Sequence, residues 1–284
     1  MDQPLQSLSD VSGTMLITLY ARAKETCSWD PIIKDPKAVE IIEIFKKEIH
    51  DSKNPIHQKI VKDRYNPKLA VTMALRSRRF DRYVLDFLKR YPEGTIINFG
   101  CGLDTRFDRI DNGKLTWFDL DFPEVIELRR RFMDEGSRRH FISGSILDHG
   151  WIEKVKTGGP YLIIAEGVFM YLKEEEVKNL LSMINRELGP VELVCEVSNI
   201  YWVKRMNGWY MQLKFKHQLG MQRDAVFSFG IPDSRYFETW DPAYNFLDEW
   251  TYFDDGEKKL GWFNWFSKIE VFRKVQWTVH YQIG

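Results

Sequence analysis

Cysteine is scarce in this 284-residue sequence. Only Cys27, Cys101 and Cys195 occur, far apart, with no Cys-x-x-Cys pair and no histidine at zinc-ligand spacing. That excludes a disulfide scaffold and a structural zinc. An excess of charge of one sign is also lacking: 41 lysines and arginines balance 41 aspartates and glutamates, for a formal net charge of zero. Binding to a phosphate backbone calls for a basic excess, so no nucleic-acid partner is expected. No apolar run approaches the ~18 residues of a membrane span, and the opening MDQPLQSLSDVSG has no basic start followed by an apolar core. The expectation is a cytoplasmic protein with no membrane partner. There is no internal repeat and no low-complexity tract.

What is present suits a folded chain: 44% hydrophobic and 29% charged residues, enough for a sizeable core in one elaborated domain. Residues 1–92 read as a helical N-terminal extension. Apolar residues recur at helical spacing over Asp10 to Thr26, Asp35 to His50 and Pro67 to Arg90, with Pro31 and Pro36 between the first two and Tyr91-Pro92-Glu93-Gly94 stopping the third. From residue 93 the period changes. Five short β-branched or aromatic runs appear, at 95–99, 115–120, 140–144, 161–165 and 191–197, separated by helix-length segments such as 124–135 and 173–188. Continuous apolar strands alternating with helices indicate an α/β doubly wound sheet, mostly parallel, with helices on both faces. A polar and aromatic insertion follows at about 199–235, then candidate strands at 246–253 and 275–282 joined by a helix over 258–267. The arginines at 129–131, 138 and 139 read as an exposed helix face.

In such sheets ligands bind beyond the carboxyl ends of the strands. The first strand ends Asn98-Phe-Gly-Cys-Gly-Leu-Asp-Thr105. Gly100 and Gly102 would let the backbone turn tightly against a ligand, although a glycine pair also serves a purely structural turn. A dinucleotide fingerprint wants a third glycine where Thr105 stands, which weakens a pyrophosphate reading. Asp121 lies about twenty residues on, at the end of the second strand, where an acid accepts hydrogen bonds from both ribose hydroxyls. Asp119 fits a satisfied structural carboxylate as well as a ligand. Glu166, directly after an apolar strand, needs a partner, either a cationic ligand or a helix cap.

Asn98-Phe-Gly-Cys-Gly-Leu-Asp-Thr-Arg106, Phe118-Asp-Leu-Asp-Phe-Pro123 and Ala165-Glu-Gly-Val-Phe-Met-Tyr-Leu172, preceded by Arg76-Ser-Arg-Arg-Phe-Asp81, resemble the leucine carboxyl methyltransferase family. That family includes polyketide O-methyltransferases of the tetracenomycin type. The resemblance covers roughly residues 15 to 200. It implies a class I methyltransferase Rossmann-like sheet, with an antiparallel strand at its C-terminal end, and S-adenosyl-L-methionine as cofactor. By position it implies that Gly100, Cys101 and Gly102 approach the cofactor's methionine portion and that Asp121 binds the ribose. Arg76 falls where the family pairs an arginine with the cofactor's carboxylate, with Arg78 and Arg79 as rivals, and Glu166 falls near the amino group. Lys24 resembles a family lysine, one residue out of step. Ser145 and Ile146 stand where an acidic and an apolar residue flank the adenine, and Asp148 could supply the carboxylate that Ser145 lacks.

Methyl transfer from a sulfonium to an oxyanion is an in-line displacement that alignment and exclusion of water can accelerate. No catalytic side chain is nominated, because a carboxylate acceptor needs no general base and the histidines sit in no motif. Residues 201–284 hold 22 of the 41 aromatic residues, with Trp202, Trp209 and Tyr210 beside Lys204, Arg205, Lys214 and Lys216. Such a surface could bind an aromatic or acidic small molecule. An O-methyltransferase of a small metabolite is therefore expected. The other readings are a protein C-terminal carboxyl methyltransferase, a cofactor-binding protein without turnover, and a nicotinamide-dependent oxidoreductase.

Overall fold

A computed structural model describes residues 10–206 and 227–284 of the chain. Four helices come first: α1 (Asp10–Thr26), α2 (Pro36–Glu48), α3 (Pro55–Val61) and α4 (Pro67–Arg90). The last three each begin with proline behind an aspartate or asparagine cap. Asp35, Asn54 and Asn66 accept the N–H groups of Ala38, Ile56 and Lys68, while proline's missing N–H costs nothing at a first-turn position. The short α3 has no counterpart in the sequence reading.

The sheet follows, with strands β1 (Thr95–Phe99), β2 (Thr116–Asp121), β3 (Arg139–Ser143), β4 (Tyr161–Ala165), β5 (Val191–Ser198), β6 (Tyr244–Trp250) and β7 (Gln276–Ile283). Their spatial order is β3-β2-β1-β4-β5-β7-β6. The first five are mutually parallel, and β7 runs antiparallel to both β5 and β6. The doubly wound sheet with an antiparallel C-terminal strand is what the sequence implies. Between strands lie α5 (Arg106–Ile110), α6 (Pro123–Arg129), α7 (Ile152–Val155) and α8 (Glu174–Leu188); α9 (Ile200–Met206) and α10 (Glu270–Arg273) follow β5 and precede β7.

Strand alternation divides the core between the two faces. Ile96, Leu162, Ile164 and Val194 pack against Phe80, Val84 and Phe87 of α4. Ile97, Phe99, Ile163 and Leu193 pack on the other face against Val177, Leu181 and Ile184 of α8. A further apolar cluster joins Leu16, Leu19 and Tyr20 of α1 and Ile41 and Phe45 of α2 to Cys101 and Leu103 after β1 and to Val125 and Ile126 of α6. The N-terminal helices are thereby packed onto the loops beyond the carboxyl ends of β1 and β2.

Four expectations need correction. The helix expected over 124–135 ends at Arg129 and gives way to turns. The segment 258–267 is not an α-helix but a run of 3₁₀ turns, broken at Gly261, whose φ of +58° is outside any helix. The sixth strand begins earlier, at Tyr244, and carries a register shift between Phe246 and Asp248. The arginines are not one exposed face: Arg130 and Arg131 are exposed, but Arg129 and Arg139 are buried. Arg129 donates to Asp119 Oδ2 (2.7 Å) and to the carbonyls of Gly102 (2.9 Å) and Asp104 (2.7 Å). Three strong acceptors offset its desolvation.

Candidate active site

The carboxyl ends of β1, β2 and β4 bring several of the expected residues together. Gly100 and Gly102 both adopt positive φ, +58° and +47°, in the left-handed region that side chains disfavour. Space is tight as well, since a Cβ on Gly100 would stand 2.6 Å from Val168 Cγ2. Asp121 closes the loop from the neighbouring strand. Its Oδ2 accepts the Gly102 N–H (2.7 Å) and its Oδ1 the Phe122 N–H (2.8 Å), leaving each oxygen a further lone pair. Burial pushes the Asp121 carboxyl up to about 6 in spite of those two N–H groups.

Beside it stands a second cluster. Arg76, from α4, donates through Nε to Glu166 Oε1 (2.7 Å) and through Nη1 to Glu196 Oε2 (2.8 Å). Arg106 donates to Glu166 Oε2 (2.6 Å), Asp81 Oδ1 (2.6 Å) and Asp104 Oδ2 (2.5 Å). Arg109 continues the chain through Asp81 to Asp35 (2.7 Å), which also pairs with Arg22 of α1 (3.0 Å). Burial pushes the Glu166 carboxyl up, but the Arg76 and Arg106 guanidiniums outweigh it and hold it below the ordinary glutamate value. The same carboxylates hold the Arg106 and Arg109 guanidiniums above theirs against burial. Glu166 is thus bound by side chains and does not cap a helix.

The remaining expected residues are placed as follows. Cys101 is buried and its N–H is taken by the Leu120 carbonyl; burial pushes its thiol well above the usual range. Ser145 caps the turn after β3, its Oγ accepting the Leu147 N–H (3.2 Å). Ile146 is buried in the core under Trp151, and Asp148 is exposed. Lys24 pairs with Asp63 (2.8 Å) and Tyr20 Oη (3.3 Å). Arg78 pairs with Asp255 and Arg79 with Asp248, so neither rival of Arg76 reaches Glu166. Asp119 is structural: it is fully buried, and Asn98, Trp117 and Arg129 donate to it. Trp209, Tyr210, Lys214 and Lys216 lie outside the described residues.

Several residues of this region were given no site role in the sequence reading. Phe122, next to Asp121, is 48% exposed although it is a large apolar side chain. The signal for it was its position directly after the strand-end acid. Glu196, Asp81, Asp104 and Arg106 enter only through pairings between distant segments. Thr105, at the expected third-glycine position, is fully buried, donates to Asp35 (2.5 Å) and accepts from Arg109 (2.8 Å). A backbone filled in this way does not offer the close approach that a pyrophosphate requires.

The profile of the leucine carboxyl methyltransferase family matches residues 15–185. The chain belongs to the leucine carboxyl methyltransferase family. It is an S-adenosyl-L-methionine-dependent methyltransferase. It is 29% identical over 248 residues to the tetracenomycin polyketide synthesis O-methyltransferase TcmP of Streptomyces glaucescens, spanning 87% of this chain and 85% of that protein. It is 27% identical over 294 residues to the S-adenosyl-L-methionine-dependent methyltransferase dpfgK of Gibberella zeae, spanning 98% of this chain and 93% of that protein. Among solved structures, a duf574 family protein from Streptomyces avermitilis superposes with a TM-score of 0.55 at 12% identity, over 84% of this chain and 96% of that one; this is a likeness of fold alone. No helix among the described residues is long and apolar enough to cross a membrane, and no cluster of His, Cys, Asp and Glu among them could hold a metal ion.

The groups gathered at these strand ends fit S-adenosyl-L-methionine chemically. An acid with spare lone pairs suits vicinal hydroxyls, an exposed aromatic ring beside it suits an adenine face, and a carboxylate and a guanidinium in contact suit the amino and carboxylate groups of a methionine.

Proposed function

We propose that the protein methylates an oxygen, carboxylate or hydroxyl, of a small polyketide-like metabolite. The observation that carries this reading is the similarity to the tetracenomycin O-methyltransferase along most of both chains. In this reading Asp121 accepts the ribose hydroxyls, Phe122 and the Ser145 turn flank the adenine, and the glycine loop from Gly100 through Cys101 to Gly102 gives backbone access. Arg76 meets the methionine carboxylate and Glu166 its amino group. The contact of Lys24 with Asp63 ties α1 to the loop before α4. When bound, S-adenosyl-L-methionine supplies an electrophilic methyl group on a sulfonium.

The chain's own contribution is to orient the reactants and exclude water. A carboxylate acceptor accords with four of the five described histidines. His50, His57 and His280 are engaged with Asp51, Ser52 and Glu192, and His140 stacks on Phe118, so none of these four is placed as a base at the site. An ionised acid needs no proton removed. Incubation of the purified protein and methyl donor with paired acids and phenols of one planar scaffold tests the reading. Methyl esters are cleaved by mild alkali and methyl ethers are not, so product stability identifies the oxygen. Labelling of neither oxygen across such a panel, by a protein that binds the donor, would count against it.

A further inference from the structure

We infer that Glu196 is a positioning residue for cofactor binding: it holds Arg76 so that one edge of the guanidinium stays open for the ligand carboxylate, and Tyr252 in turn holds Glu196. This rests on the reading above that Arg76 meets that carboxylate.

Glu196 lies within β5, a strand buried along its whole length, and is itself 1% exposed. A glutamate there is costly unless both oxygens are satisfied. They are: Oε2 accepts from Arg76 Nη1 (2.8 Å) and Oε1 from the Tyr252 hydroxyl (2.7 Å). Tyr252 comes from the segment after β6 and packs its ring against Trp250 (5.3 Å), beside the cluster formed by Val71, Ala74 and Leu75 of α4. The far end of the sheet is thereby joined to the arginine.

The geometry of Arg76 gives the pairing its meaning. An arginine facing one carboxylate prefers to bind it with two parallel N–H groups. Here Glu166 receives only Nε from Arg76, because Arg106 occupies its other oxygen, and Glu196 draws Nη1 aside. Nη2 makes no hydrogen bond among the described residues, and the Arg76 side chain keeps a small exposed fraction, 8%. Gly167 borders this edge: a Cβ there would lie 3.9 and 4.0 Å from Nη1 and Nη2 and 3.7 Å from Glu196 Oε2. With Nε on Glu166 and Nη1 on Glu196, Nη2 beside the glycine is left to meet one more carboxylate. Without Glu196, Nη1 loses its partner and the group is free to turn onto Glu166.

The test titrates the full chain with S-adenosylhomocysteine and, separately, with 5′-methylthioadenosine, which lacks the amino acid carboxylate. Glu196→Ala is expected to weaken S-adenosylhomocysteine binding by about tenfold, the factor that corresponds to ~1.4 kcal/mol, and to leave 5′-methylthioadenosine unchanged. Glu196→Gln, whose one amide oxygen can accept from Arg76 while its NH₂ donates to the Tyr252 oxygen, is expected to restore most of the loss. Equal weakening of both ligands, or of neither, overturns the inference. Tyr252→Phe provides the same comparison if Glu196→Ala does not fold, with a smaller loss expected for S-adenosylhomocysteine alone; no loss, or an equal loss for both ligands, overturns the inference there too. Arg76→Ala is the control. If it leaves S-adenosylhomocysteine affinity intact, the assignment of Arg76 itself fails, whereas an effect of Arg76→Ala without one of Glu196→Ala removes only the role of Glu196.

Discussion

Asp121 Oδ2 accepts the backbone N–H of Gly102 at 2.7 Å, so the acid at the end of β2 is fastened to the glycine loop after β1. Burial raises its carboxyl to about 6, which gives a signed expectation. A carboxyl raised in the folded state favours folding most when protonated, and that contribution fades as pH rises through about 6. Ligand binding runs the other way, because only the ionised carboxylate accepts from two hydroxyls at once. Affinity for S-adenosylhomocysteine should therefore fall as pH drops through about 6. In Asp121→Asn affinity should be lower throughout and that pH dependence should disappear. Calorimetric titration across this range checks it, and an unchanged slope in Asp121→Asn would remove the residue from the site.

Gly100 should tolerate no side chain. Its φ of +58° costs an alanine on the order of 1–2 kcal/mol, and the 2.6 Å approach to Val168 Cγ2 adds a clash. Gly100→Ala is expected to lower stability by about 2 kcal/mol or more. In a double-mutant cycle with Val168→Ala only the clash should be recovered. Denaturant unfolding of the four proteins measures the coupling; a coupling of zero would mean that Val168 does not constrain the loop.

The charged chain from Arg76 to Asp35 holds the N-terminal helices to the sheet. Asp81 accepts from Arg106 and twice from Arg109. Asp81→Ala should cost about 3 kcal/mol, because it leaves the Nε groups of two buried arginines without an acceptor, although Arg106 keeps Glu166 and Asp104 and Arg109 keeps Asp35. Asp86→Ala, which breaks an exposed pair with Lys89, should cost less than about 1 kcal/mol. Unfolding measurements on both separate a structural network from a surface ion pair, and equal costs would refute that distinction.

How far the sequence told this story depends on the range of the interactions. The five parallel strands were legible within a residue or so because each is a short apolar run between helices. Asp121 was picked out by its place at a strand end about twenty residues beyond the glycines, and Glu166 because an acid directly after a buried apolar strand is costly. The run over 258–267 misled because its apolar spacing is helical while Gly261 breaks the backbone. Arg129 and Arg139 misled for another reason: a basic cluster reads as solvated unless its acidic partner is known, and Asp119 lies in a different element. Glu196 gave a signal, a glutamate inside the apolar run 191–197, but its partners Arg76 and Tyr252 are 120 and 56 residues away in the chain.

The most direct test of the cofactor assignment is parallel calorimetric titration of the purified protein with S-adenosylhomocysteine, S-adenosylmethionine and NAD. The first two are predicted to bind and NAD is not, with Arg76→Ala and Asp121→Ala each weakening the first two by about 1–3 kcal/mol. Binding of NAD alone, or full affinity for S-adenosylhomocysteine in both folded variants, would contradict the site described for this chain.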